Sequence, residues 1–199
     1  MGAEMTVVIA SELTRSQHTP NLIDTCRQVT DVIVVHTVDG RPDVPGCVNL
    51  RDPRRHYAAW INTGLDAAPD GPVLVLNDDV LLTVENIATI LDHALRADLV
   101  VVPNTHKRAV TPISGWCFAV NGERLDETYQ WFYSDDDLWE RVVAANGRIT
   151  VVPGDTVTHE RDKRPRYPAE FATAIPHDRI LFARRWRAGD DASLPFGDV

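Results

Sequence analysis

The chain lacks long apolar runs, has few cysteines and is short of positive charge, and each shortage removes a class of function. Its apolar stretches stop at strand length, so none reaches the roughly 20 residues that a membrane-spanning helix needs. Cys26, Cys47 and Cys117 are odd in number and lack metal-ligand spacing, which disfavours a disulfide scaffold or zinc site and suits reduced thiols in a cytoplasm. A net charge of −9 disfavours a simple nucleic-acid binder, which gains affinity by neutralising phosphates. No charged-then-apolar leader opens the sequence, so secretion is not expected. Residues 1–6 do fit a myristoylation pattern, but a buried strand is expected to start at Thr6. Glycine is absent from 11–20, so the first strand is not followed by the Gly-rich phosphate loop that a nucleotidyltransferase normally needs. There is no internal repeat or low-complexity segment.

What is present suits one α/β domain. The 199 residues are 44% apolar, enough to bury a proper core. Short continuous apolar runs at 6–10, 31–38, 47–50, 72–80, 99–102, 113–120 and 149–152 read as strands, several of them buried on both faces. Between them, helical spacing predicts helices at 21–29, 54–67 and 83–96, with Asn21 and Thr83 as starts and Pro69-Asp70-Gly71-Pro72 as a stop. After Ser134–Asp137 a further helix is expected through Leu138, Val142 and Val143 to a stop at Gly147, and another across 170–187. The order β-α-β-β-α-β-α-β implies a mostly parallel sheet.

Three polar clusters follow buried strands or open helices. Asn77-Asp78-Asp79 ends the most apolar strand, placing adjacent carboxylates at the carboxyl edge of a sheet, where such sheets bind ligands. Two neighbouring carboxylates repel unless a cation relieves them, and a hard divalent ion with oxygen ligands does so. The same triplet also serves as a turn that caps the next helix. Ser134-Asp135-Asp136-Asp137 follows an aromatic stretch with Tyr129, Trp131, Phe132 and Tyr133; its acids also suit a helix amino terminus through the dipole. His159 follows the last strand, one histidine of seven. From 160 to 187 eight basic residues face four acidic ones, which suggests an anionic ligand or a solvated helix face.

In order, these pieces resemble the family 2 nucleotide-sugar glycosyltransferases of the GT-A fold. Leu76-Asn77-Asp78-Asp79 looks like the DXD metal motif, and Asn62-Thr63-Gly64 resembles the Asn-x-Gly ahead of it, with Ile61 where arginine is often found. Pro112-Ile113-Ser114-Gly115 with Phe118-Ala119-Val120 resembles the acceptor-side strand. Leu125-Asp126-Glu127, then Ser134 through Arg141, resembles the Asp-Glu…Glu-Asp-x-Asp-Leu-x-x-Arg block; Gly147-Arg148-Ile149 through Val157-Thr158-His159 resembles its ending. Phe182-Ala183-Arg184-Arg185-Trp186 is similar to an aromatic-basic-Trp element of some members. Ser134 stands in place of the usual Glu, and His36-Thr37-Val38-Asp39 in place of an acidic cluster.

The resemblance implies an α/β, GT-A-like, Rossmann-type, mostly parallel mixed sheet flanked by helices in a single domain. It divides the chain into a catalytic region at 1–159 and a basic helical tail at 160–199. Within the first, 1–104 would bind the nucleotide diphosphate sugar and 105–159 the acceptor. It implies inverting transfer, hexosyl or deoxyhexosyl, with Asp135 as base and Asp79 and His159 on Mn2+ (or Mg2+). Ser11, Asp39, Asn62, Asn77 and Asp78 are candidates for the nucleotide, and Gly115, Trp116 and Asp136 for the acceptor. Trp131 is a further candidate to stack on sugar. The acceptor stays open among protein, glycan, lipid-linked glycan and hydroxylated bases in DNA, and a binding module that lost turnover is the alternative. The oligomeric state cannot be read from the residues.

Overall fold

A computed structural model describes residues 5–11, 18–54, 56–103, 110–153, 156–159 and 171–187. Residues 104–109, the basic stretch at 160–170 and the end at 188–199 lie outside the described residues. β1 (Thr6–Ser11), β2 (Asp31–His36), β3 (Val48–Arg51) and β4 (Val73–Asn77) are mutually parallel, joined by α1 (Thr19–Cys26) and α2 (Tyr57–Ala67). After β4 come β5 (Val80–Leu81), α3 (Val84–Ala94), β6 (Leu99–Val101), β7 (Cys117–Val120), α4 (Ser134–Ala144), β8 (Ile149–Val151), β9 (Thr158–His159) and α5 (Phe171–Trp186). The seven-stranded sheet runs β3-β2-β1-β4-β7-β6-β8, with β7 antiparallel to both neighbours. It is the mixed, mostly parallel GT-A-like sheet expected.

The alternation of side chains along each strand builds two cores. Val7, Ile9, Val34, Leu74 and Leu76 pack with Leu22, Ile23, Ile87, Ile90 and Leu91 of α1 and α3. Val8, Ile33, Val35, Val73 and Val75 pack with Ala58, Ile61 and Leu65 of α2 and with Leu138 and Val142 of α4. Gly64 lets α2 lie close on β1, because a Cβ there would stand 2.3 Å from Val8 Cγ1.

The ends of the elements differ from the sequence expectation for local reasons. α1 begins at Thr19 with Pro20 in its first turn, where the missing amide of proline costs nothing, not at Asn21. α2 begins at Tyr57, three residues later than expected, with His56 as its cap accepting from the Ala59 amide. Arg54 is instead turned back on the buried Asp52, its Nη2 2.6 Å from Oδ2, a carboxylate that Thr63 Oγ1 also reaches at 2.7 Å. β7 starts at Cys117, because 113–116 curl away around Gly115. The two-residue strands β5 and β9 pair in a small antiparallel sheet of their own, a contact with no counterpart in the local sequence pattern.

Candidate active site

Ser11 lies beside His36 and Ala10 beside Asn77, so β1, β2 and β4 finish together at one edge of the sheet. Ser11 Oγ donates to Asp78 Oδ2 at 2.7 Å, and Thr19 Oγ1 donates to the Asp78 carbonyl at 3.0 Å. Two of the nucleotide-side candidates, Ser11 and Asp78, are therefore in contact and buried. Asp39 is exposed in the turn after β2, and His36 is buried, with its Nε2 2.8 Å from Asn49 Oδ1. Asn62 belongs elsewhere. Its Oδ1 accepts from the Leu125 amide at 3.0 Å, and its Nδ2 donates to the Leu125 carbonyl at 2.9 Å and to Glu127 at 3.0 Å. It tethers α2 to the segment after β7, with both polar atoms engaged inside the protein.

Asp79 follows the buried Asp78 in the turn between β4 and β5 and is half-buried. The pairing of Val80 with His159 brings His159 Nε2 to 3.2 Å from Asp79 Oδ1. Trp116 stacks flat on the imidazole, centroids 5.0 Å apart and planes 12° off parallel, and so sets the plane of the ring. The Trp116 carbonyl in turn accepts from the Asn77 amide at 3.0 Å.

The pair fits one divalent ion. Asp79 Oδ1 is buried without a hydrogen bond, so one lone pair is left for another partner. Two ligands at about 2.1 Å and right angles on an ion stand about 3 Å apart, close to the separation seen. Among the described residues no group of three or more His, Cys, Asp and Glu could hold a metal. An ion held by these two side chains would take its remaining ligands from outside the described His, Cys, Asp and Glu side chains.

Asp135 opens α4 across Gly115. A Cβ at position 115 would stand 2.6 Å from Asp135 Oδ2, so glycine is what admits the carboxylate. Burial pushes the Asp135 carboxyl above its ordinary range, against hydrogen bonds from the amides of Asp135, Asp136 and Gly115. Asp136 is pushed up further by burial and by the charge of Asp135, although Thr111 Oγ1 donates to it at 2.5 Å. Tyr57, at the start of α2, donates its hydroxyl to the Gly115 carbonyl. Burial, Asp135, Cys117 and Asp79 all hold its proton on. Ser134 is buried, and its Oγ has no hydrogen-bond partner among the described residues. Trp131 is half-buried and packs edge-on against Trp60, centroids 5.1 Å apart, at the border of the core under α2.

The elevation of Asp136 has a testable sign. The folded chain holds this proton more tightly than the unfolded one, so stability falls as pH rises from the ordinary carboxylate range through the raised one. Asp136→Asn removes that cost. It is expected to raise the melting temperature at pH 7 by a few degrees, the shift that about 1 kcal/mol gives a domain of this size, and to change nothing near pH 3. Thermal melts across that range check it.

Neither a protein-family model nor a curated protein matches the chain. Solved structures do. The 2-C-methyl-D-erythritol 4-phosphate cytidylyltransferase of Thermus thermophilus is similar at 16% identity and a TM-score of 0.55, over 86% of this chain and 96% of that one. S. aureus TarS 1-349 in complex with UDP-GlcNAc is similar at 13% identity and a TM-score of 0.58, over 90% of this chain and 66% of that one. The same TarS fragment described without the nucleotide sugar gives 10% identity and a TM-score of 0.53, over 94% and 73%. At these identities the likeness establishes the fold: a GT-A-like, Rossmann-type α/β domain.

Proposed function

We propose that the chain is a metal-dependent glycosyltransferase that moves a hexosyl or deoxyhexosyl group from a nucleotide diphosphate sugar to an acceptor hydroxyl. The observation that carries this reading is the pairing of two different carboxylate sites around residues 115–116. Trp116 stacks on the His159 that faces Asp79, and Gly115 admits Asp135. The fold shared with TarS, whose structure holds UDP-GlcNAc, supports the donor class.

In this reading Ser11, Asp39, Asn77 and Asp78 lie on the nucleotide side and Gly115, Trp116 and Asp136 on the acceptor side. A divalent ion, Mn2+ (or Mg2+), held by Asp79 and His159 would supply Lewis-acid stabilisation of the departing diphosphate. Trp116 keeps the imidazole facing Asp79. Asp135 takes the proton of the acceptor hydroxyl as that oxygen attacks the anomeric carbon, and direct displacement inverts the configuration there. The elevated position of Asp135 suits a base: its carboxylate binds a proton more strongly than an ordinary one.

The charge of α5 does not favour DNA as acceptor. Arg185 reaches Asp126 at 2.5 Å and Asp137 at 3.2 Å, and Arg187 reaches Glu140 at 2.5 Å, so both are paired with carboxylates of this chain at its surface. The likeness to a cytidylyltransferase favours nucleotidyl transfer as the second reading. The two separate by product, since glycosyl transfer releases a nucleoside diphosphate and nucleotidyl transfer releases pyrophosphate.

Calorimetric titration of UDP, dTDP and GDP, with and without Mn2+, tests the donor site. One nucleotide is expected to bind only with metal, and Asp79→Asn is expected to weaken it at least tenfold. Binding indifferent to both metal and Asp79, or no binding of any nucleotide, rejects the site and leaves a module without turnover.

A further inference from the structure

Asp178 is a fully buried carboxylate on α5 that touches none of the residues given a role in the proposed transfer. Its Oδ2 accepts from three successive loop amides: Gln130 at 3.1 Å, Trp131 at 2.8 Å and Phe132 at 3.0 Å. Oδ1 also meets the Gln130 amide at 3.1 Å and lies 2.8 Å from His177 Nδ1. Consecutive amides converging on one point form a nest that holds an anion, here supplied from inside the chain.

The nest sits directly before a strained residue. Tyr133 caps α4 with φ 62° and ψ 0°, the left-handed region, without a side-chain cap bond. For a bulky residue that conformation costs roughly 1–2 kcal/mol and persists only where its surroundings fix it. α5 supplies the fixing at three points. Asp178 holds the amides before Tyr133, Phe182 stacks on the Tyr133 ring at 5.2 Å, and Trp186 Nε1 donates to Asp137 in the first turn of α4 at 2.8 Å. Asp135, two residues beyond Tyr133, fits against Gly115 with no room to spare. A misplacement of about 1 Å in a catalytic group can cost 10²-fold in rate.

We propose that α5 is a clamp that sets the position of the catalytic carboxylate, and that Asp178 is its principal positioning residue, acting through the 130–132 amides and Tyr133. The role given to Asp135 rests on the function proposed above; the clamp itself does not.

Asp178→Asn in the full chain keeps the size of the side chain but turns one of its two acceptors into a donor facing donors. With UDP-GlcNAc and MnCl2 it is expected to lower kcat about 10–100-fold while KM stays within twofold. A substrate-free readout runs in parallel. Carbon-detected titration of the aspartate carboxyls should move the Asp135–Asp136 midpoints down toward the ordinary range in Asp178→Asn, as the first turn of α4 opens to water. If the melting temperature falls while kcat and those midpoints stay at wild-type values, Asp178 only stabilises and the clamp is overturned. If the wild type turns over no UDP-GlcNAc, the donor reading is what has failed, and the titration alone decides the clamp. Should Asp178→Asn not fold, Phe182→Leu removes the Tyr133 stack with the nest intact; unchanged midpoints in that variant overturn the proposal.

Discussion

Asp135→Asn is expected to lower acceptor glycosylation by about 10²–10⁴-fold, the usual worth of a positioned general base, while nucleotide and Mn2+ affinity stay within about twofold. Asparagine has the same shape, so the fit against Gly115 survives and only the proton acceptor is lost. The pH dependence gives a second signature. Burial raises the Asp135 carboxyl, so in the wild type activity should rise with pH through a window above the ordinary carboxylate range, then level off. Asp135→Asn should abolish that acidic limb along with the rate. Steady-state kinetics from pH 4 to 8, beside calorimetry of the nucleotide, separates loss of the base from loss of binding. Activity within tenfold of wild type, or a variant that no longer binds nucleotide, would remove Asp135 from the role.

The parts of the fold that were legible in the sequence are those fixed by local pattern. β1, β2 and β4 are apolar runs buried on both faces, and α3 shows its apolar side at Ile87, Ile90 and Leu91 behind a Thr83 cap whose Oγ1 takes the Asn86 amide at 3.3 Å. Each needs no information from elsewhere in the chain. The β5–β9 pair is the opposite case. Two strands of two residues each carry no periodicity, yet their pairing brings Asp79 to His159 across 80 positions of sequence. Both residues could be nominated from the resemblance, but their 3.2 Å approach had to come from the fold.

Buried charge was the least legible feature. Asp137 looks like one more acid at a helix amino terminus, and Asp178, Arg185 and Arg187 look like solvated charges in a basic stretch, because residue type does not reveal a partner distant in sequence. In the structure the acids are buried and the arginines lean on them or on Asp126 and Glu140. The tail-like composition of 171–187 therefore conceals an element that contacts the beginning of α4. Asn62 is the converse: a polar residue in a motif-like setting whose donors and acceptor are satisfied by the Leu125 backbone and Glu127.

Asp137→Ala should destabilise the chain by about 3–5 kcal/mol, the range for breaking a buried ion pair by removing one partner. The carboxylate is fully buried and takes Arg141 Nε at 2.9 Å, Trp186 Nε1 at 2.8 Å, the Tyr129 hydroxyl at 3.3 Å and Arg185 at 3.2 Å. Deleting it leaves Arg141 Nε, Trp186 Nε1 and the Tyr129 hydroxyl without this acceptor, while Arg185 keeps Asp126, and an unsatisfied buried donor alone costs about 1–3 kcal/mol. Urea unfolding should show a lower midpoint with the slope kept. By contrast, Arg187→Ala removes a partly exposed pair with Glu140 and should cost no more than about 1 kcal/mol. A double-mutant cycle of Asp137→Ala with Trp186→Phe tests whether the link to α5 carries part of the loss. The two residues are in contact, so the double variant should be less destabilised than the sum of the single ones. Strict additivity would place the cost wholly on the arginine and tyrosine contacts, and a loss below about 1 kcal/mol for Asp137→Ala itself would mean that water reaches the site and satisfies the donors left behind.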